Sequence, residues 1–157
     1  MDFYDFAEKG VEKACETLGI EKPDVIFYQI EDGEDCNIHS VFFKDDYSIG
    51  FDISAFHHPF QIVAAAFHES RHAFQWQIIK GLYDGEEIIS NITKEKWKME
   101  FSEYKPPSKN ARLEKQYLIQ DIEIDAILFA YRECKDFLDA EDLAPVELMY
   151  LISENDV

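Results

Sequence analysis

The apolar positions of this chain change period several times, and each change marks an element. Phe3, Phe6, Ala7, Val11, Ala14, Cys15 and Leu18 recur at helical spacing. Gly19 follows where a left-handed C-cap belongs, so the pattern predicts a helix over residues 3–18. After Pro23-Asp24 the run Val25-Ile26-Phe27-Tyr28-Gln29-Ile30 is β-branched and aromatic and predicts a strand. Residues 31–35 read as an acidic turn. Residues 38–44 and 47–53 are two further strand-like runs, and Asp45-Asp46 between them is a tight-turn signal, so they predict a hairpin. The expected sheet is small and largely antiparallel.

From Phe60 to Ile79 the period becomes helical again in an Ala-rich, strongly apolar run, with Pro59 suited to its first turn and Gly81 ending it. Residues 86–101 predict a shorter amphipathic helix carrying Ile88, Ile89, Ile92, Trp97 and Phe101, with a break near Asn91. Residues 104–110 contain Pro106-Pro107 and read as a loop at the rim of a site, too short to separate domains. Residues 111–138 predict one long helix whose centre, 117–131, is apolar almost all round and therefore buried. Pro145 opens a last short helix over 146–152, and the acidic end at 154–156 is expected to fray. The expectation is a single α+β domain over residues 1–157.

Composition agrees with a packed domain: of 157 residues, 46% are hydrophobic and 15% aromatic. The formal net charge of −18 repels phosphate backbones and argues against nucleic-acid binding. Cys15, Cys36 and Cys134 are odd in number and widely spaced, which disfavours a disulfide framework or a cysteine zinc site. The acidic start, Met1-Asp2-Phe3-Tyr4-Asp5, has no signal-peptide core, and no apolar run is long enough to span a membrane. A reduced, cytoplasmic protein is the expectation.

Within the apolar helix stands His68-Glu69-Ser70-Arg71-His72, a His-Glu-x-x-His pattern. Positions i and i+4 share a helix face, so both imidazoles can reach one metal ion, and Zn²⁺ suits that donor type. Glu69 then flanks the metal without ligating it, where a carboxylate serves as general base. Buried His and Glu side chains without partners would be costly, and a metal satisfies them. His57 and His58 precede the motif by more than two turns and read as solvent-facing or capping residues.

A zinc held by two histidines takes a third protein ligand, commonly a carboxylate. The buried centre of residues 111–138 holds three acids, Asp121, Glu123 and Asp125, and acids are seldom buried unless paired or metal-bound. Asp121 reads as exposed. Glu123 and Asp125 lie about 200° apart on a helix and cannot share a face. The face of Glu123 carries Ile119, Ala126, Ile127 and Ala130, and its small residues admit a close helix such as one bearing Ala64-Ala65-Ala66. Glu123 is therefore the favoured ligand. Asp125 is the alternative, or else an acceptor for a ligand His N–H or the partner of an arginine.

The pair of motifs, His68-Glu69-x-x-His72 and Glu123-Ile124-Asp125-Ala126-x-x-Phe129-Ala130, resembles the short zincin-type metallopeptidases of the ImmA/IrrE kind. Those join HExxH to a downstream helix reading roughly E-x-E-A-x-x-F-A, and the resemblance covers about residues 20–135. It implies a minimal zincin-like domain, with a small sheet packed on the HExxH helix and a second buried helix. It further implies a gluzincin-like zinc site and cleavage of an intracellular protein or peptide. The chain departs from the pattern in its longer interval between His72 and Glu123, in Asp125 for a second Glu, and in Arg71 and Gln75 around the second His.

In the peptidase reading Tyr104, Tyr117 or Tyr131 donates to the oxyanion, and the strand over residues 47–53 presents an edge for an extended peptide. The alternative is a binding or regulatory module that keeps fold and metal without hydrolysis. Retention of Glu69 argues for the enzyme, because a structural zinc needs no base.

Overall fold

The computed structural model describes residues 2–29 and 39–138. The turn expected at 31–35, Cys36 and the helix expected at 146–152 lie outside them. Five helices and a three-stranded sheet follow in the order α1 (Phe3–Leu18), β1 (Asp24–Phe27), β2 (Ser40–Phe43), β3 (Ser48–Phe51), α2 (Pro59–Ile79), α3 (Asn91–Ser102), α4 (Ala111–Leu118) and α5 (Asp121–Leu138). A single 3₁₀ turn, Ile53–Ala55, joins β3 to α2. The chain is α+β.

Helix α1 starts in a reciprocal cap: Asp5 N–H donates to the Asp2 carboxylate at 2.9 Å and Asp2 N–H to Asp5 at 3.3 Å. It stops at Gly19, whose φ of +70° only glycine adopts cheaply. Gly10 sets how closely α1 meets α2, since a Cβ there would lie 2.8 Å from the Ala66 Cβ. Ala7, Val11, Ile62 and Ala66 fill that interface together with Ile49 and Phe51 of β3. On another side of α2, Val63 and Phe67 pack on Ala130 and Cys134 of α5. Phe74 and Ile78 complete the wrapping against Trp97 and Ile122. Helix α2 is thus enclosed on nearly every face, so its polar residues must be satisfied from within the protein.

Three expectations are corrected. The sheet is mixed: β2 and β3 form the antiparallel hairpin, Phe43 opposite Ser48, while β1 runs parallel to β3, Val25 beside Ile49. The strand order is β1-β3-β2, which makes β3 central and β2 an edge, so the edge is not the strand expected at 47–53. A local turn fixes a hairpin, but no local signal says on which side an earlier strand joins it.

The second correction concerns residues 111–138, which form two helices. Gln120 breaks the run: its side chain accepts from Lys105 N–H at 3.1 Å and donates to the Lys105 and Tyr117 carbonyls. Glu100 of α3 then caps α5, accepting from Asp121 and Ile122 N–H at 2.8 and 3.1 Å. Ile119, expected beside Glu123, is more than half exposed at this break. The third is α3, which begins at Asn91 because Ser90 caps it through Thr93 N–H.

Candidate metal centre

Helices α2 and α5 bring His68, His72 and Glu123 together. The His72 Nε2 lies 2.6 Å from one Glu123 oxygen, and the His68 Nε2 lies 3.2 Å from the other. The two imidazole nitrogens are 3.1 Å apart. Ligand atoms of all three residues fall within 4.8 Å of one another. Two nitrogens bound to one tetrahedral zinc at its usual distance lie about 3.3 Å apart, so the donor set and spacing fit that ion.

Glu123 is fully buried. Burial alone would raise its carboxyl, but the His72 and His68 imidazoles hold it well below the usual carboxylate range. Burial likewise opposes protonation of His72, and the charge and hydrogen bond of Glu123, followed by the charge of Glu69, push it up to about 9.

The surroundings fix these groups. Gln75 Oε1 lies 2.8 Å from His72 Nδ1, which leaves Nε2 facing the centre. Gln75 Nε2 donates to the Ile122 carbonyl at 2.9 Å and to Asp125 Oδ2 at 2.8 Å. Arg71 grips Asp125 through Nε and Nη2 at 2.8 and 3.1 Å and reaches Glu87 at 3.2 Å. Its guanidinium also lies against Phe74 and Phe129. Asp125 is therefore the arginine's partner, and it is not among the three clustered residues that could hold a metal.

A cavity of about 270 Å³ opens beside the centre. Glu69, His72 and Glu123 form its polar floor, Ser40, Val41, Phe42 and Lys44 one wall, and Tyr104, Pro106 and Pro107 part of the rim. The loop expected at the rim is there. Glu69 is buried and accepts from Ser40 Oγ at 2.9 Å. Tyr104 Oη donates towards Glu123 at 3.4 Å, and Tyr117 lines the same space. Burial, then the negative charge of Glu123, lifts both phenols well above their ordinary value, so both remain O–H donors at neutral pH. Tyr131, the third candidate donor, does not line this cavity.

His57 and His58 are exposed, and their backbone N–H groups donate to Gln61 Oε1. Asp121 is part-exposed and paired with Lys96 at 2.9 Å. The roles of Ser40, Gln75, Glu100 and Gln120 were not legible in the sequence. Gln75 alone left a trace, as an amide at i+3 from His72 inside an apolar helix. Among the described residues no helix is long and apolar enough to cross a membrane. Comparison with known proteins finds no matching family model, no matching curated protein and no matching solved structure.

Proposed function

We propose that this chain is a zinc-dependent peptidase acting on a cytoplasmic protein or peptide. The observation that carries the reading is the position of Glu69. Its carboxylate faces the cavity beside His72 and Glu123, yet it ligates nothing in the cluster of His68, His72 and Glu123. A purely structural metal site has no use for such a base. His68, His72 and Glu123 would hold the ion, with one position left for substrate or water. Bound there, zinc would polarise a scissile carbonyl and bring the pKa of a water to about 7.

The remaining work belongs to side chains and backbone. Asp52 N–H donates to the His39 carbonyl at 2.9 Å, so the alternation of the antiparallel ladder turns the N–H and C=O groups of Ser40 and Phe42 outward from β3. An extended peptide pairs with them as a further strand along β2. Glu69 takes a proton from the attacking water and returns it to the leaving amine. The Tyr104 or Tyr117 hydroxyl donates to the carbonyl oxygen as it gains charge.

The test compares wild type with Glu69→Gln, which keeps volume and should keep both fold and zinc. Each is incubated with cell extract and new peptide termini are mapped. Termini that require Glu69 and vanish with a chelator support the peptidase. Identical termini from both proteins, or none from either, would reject hydrolysis in favour of a binding module of the same fold.

A further inference from the structure

We infer that Gln75 is a positioning residue for the metal centre: it fixes the tautomer of His72, and the Asp125–Arg71 pair fixes Gln75. The inference rests on the metal reading of His68, His72 and Glu123, and not on the hydrolytic one.

The argument is one of donors and acceptors. An amide side chain can lie either way round, and its neighbours must decide which. On one side Gln75 meets the Ile122 carbonyl at 2.9 Å and Asp125 Oδ2 at 2.8 Å. A backbone carbonyl cannot donate. Asp125 receives an Arg71 N–H on each oxygen, so it too is an acceptor only. The amide must therefore turn its NH₂ to these two groups. Its oxygen then faces His72 Nδ1 at 2.8 Å, and that nitrogen must carry the hydrogen. Nε2, 2.6 Å from Glu123 and 3.1 Å from His68, is then the nitrogen left to give its lone pair to a metal once the ion displaces its proton. Gln75 is completely buried, so no water can substitute for it.

Each link accounts for a residue that the helix pattern alone does not. Arg71 lies adjacent to His72 in sequence but grips Asp125 of α5. Its far side meets Glu87, which is exposed. The chain of contacts Arg71–Asp125–Gln75–His72 thus runs from a partly solvated ion pair to a ligand nitrogen. An outer partner that orients a ligating His typically matters 10–100-fold in metal affinity.

The experiment uses full-length protein and Zn²⁺, with affinity measured by chelator competition and the His72 ring followed by long-range ¹H–¹⁵N NMR of the zinc-loaded state. Gln75→Met preserves volume and removes both functions of the amide. We expect its zinc affinity to fall about 10–100-fold, and the protected His72 Nδ1–H resonance to be lost to exchange. Gln75→Glu keeps an oxygen opposite Nδ1 and should stay within about fivefold of wild type, even where its stability falls. A role in packing alone predicts lower thermal stability in both variants and unchanged zinc affinity in the folded fraction; that result overturns the proposal. Should Gln75→Met fail to fold, a Gln75→Glu protein with a 10–100-fold loss overturns it equally. If wild-type protein binds no zinc, the metal reading fails, and this proposal with it.

Discussion

Arg71 donates two hydrogen bonds to Asp125, Nε to Oδ2 at 2.8 Å and Nη2 to Oδ1 at 3.1 Å, and so ties α2 to α5 across 54 residues of sequence. Removing one member leaves the other charge poorly solvated, which typically costs 3–5 kcal/mol in a buried pair. Asp125 is part-exposed, so the expected loss for Asp125→Ala is nearer the lower figure, roughly 3 kcal/mol. The double variant Arg71→Leu/Asp125→Leu should lose less than the sum of the single losses, with a coupling of about 1–3 kcal/mol in denaturant unfolding. Strictly additive losses would mean that the pair is not coupled.

Much of the centre was legible because its signals are local. A four-residue interval on a helix puts His68 and His72 on one face whatever surrounds them. Acids in an apolar helix demand partners, which singled out Asp121, Glu123 and Asp125, and the small Ala126 and Ala130 on the face of Glu123 favoured it over Asp125. What stayed hidden was set by distant residues. Nothing near position 120 says that Glu100, some twenty residues earlier, will cap a new helix there. The parallel pairing of β1 with β3 is likewise a property of the assembled sheet. Because β1 occupies one side of β3, β2 is an edge of the sheet among the described residues, and the proposed peptide path moves there with it. Ser40 gave no signal at all, since a serine in a short strand is unremarkable until its neighbour across the fold is known.

The ligand set predicts an order of effects on metal binding. His68→Ala and His72→Ala should each abolish stoichiometric zinc and the stabilisation that zinc confers, about 2.7 kcal/mol at a hundredfold excess over Kd. Glu123→Ala should weaken binding more than Asp125→Asn, because Asp125 reaches the centre only through Gln75. Elemental analysis and chelator competition read both effects. A larger loss for Asp125→Asn would transfer the ligand role to that residue.

Alkaline pH should destabilise the protein through its buried acids. Burial pushes the Cys15 thiol up to about 11 and the Cys134 thiol up to about 12. Burial also lifts the Tyr47 phenol to about 12. Each folded value lies above the unfolded one, so the stabilising contribution is complete below the ordinary thiol value of 9.0 and is lost as pH rises towards 11–12. Wild type should therefore lose more stability between pH 8 and about 10.5 than Cys15→Ala/Cys134→Ala, measured by thermal unfolding. Parallel curves for the two proteins would show that these thiols do not titrate in the unfolded state alone.

The last prediction concerns Ser40, where the proposed peptide path and the proposed base meet. Its hydroxyl donates to Glu69 Oε1 at 2.9 Å, while its backbone N–H and C=O face outward along β2. In the proposed reaction the hydroxyl would hold one carboxylate oxygen against the strand and leave the other for the attacking water. Ser40→Ala removes this restraint and touches no ligand, so zinc content should be unchanged. The backbone groups survive, so KM should stay within about twofold while kcat falls about tenfold, equivalent to 1.4 kcal/mol of barrier. Ser40→Pro also removes the outward N–H, at an edge position where proline is tolerated. Against Ser40→Ala it should raise KM further and leave zinc in place. Both comparisons need a peptide first identified from the Glu69-dependent termini. Equal KM values for the alanine and proline variants would show that substrate does not pair with β2. A Ser40→Ala protein with wild-type kcat would show that Glu69 is held by the α2 backbone alone.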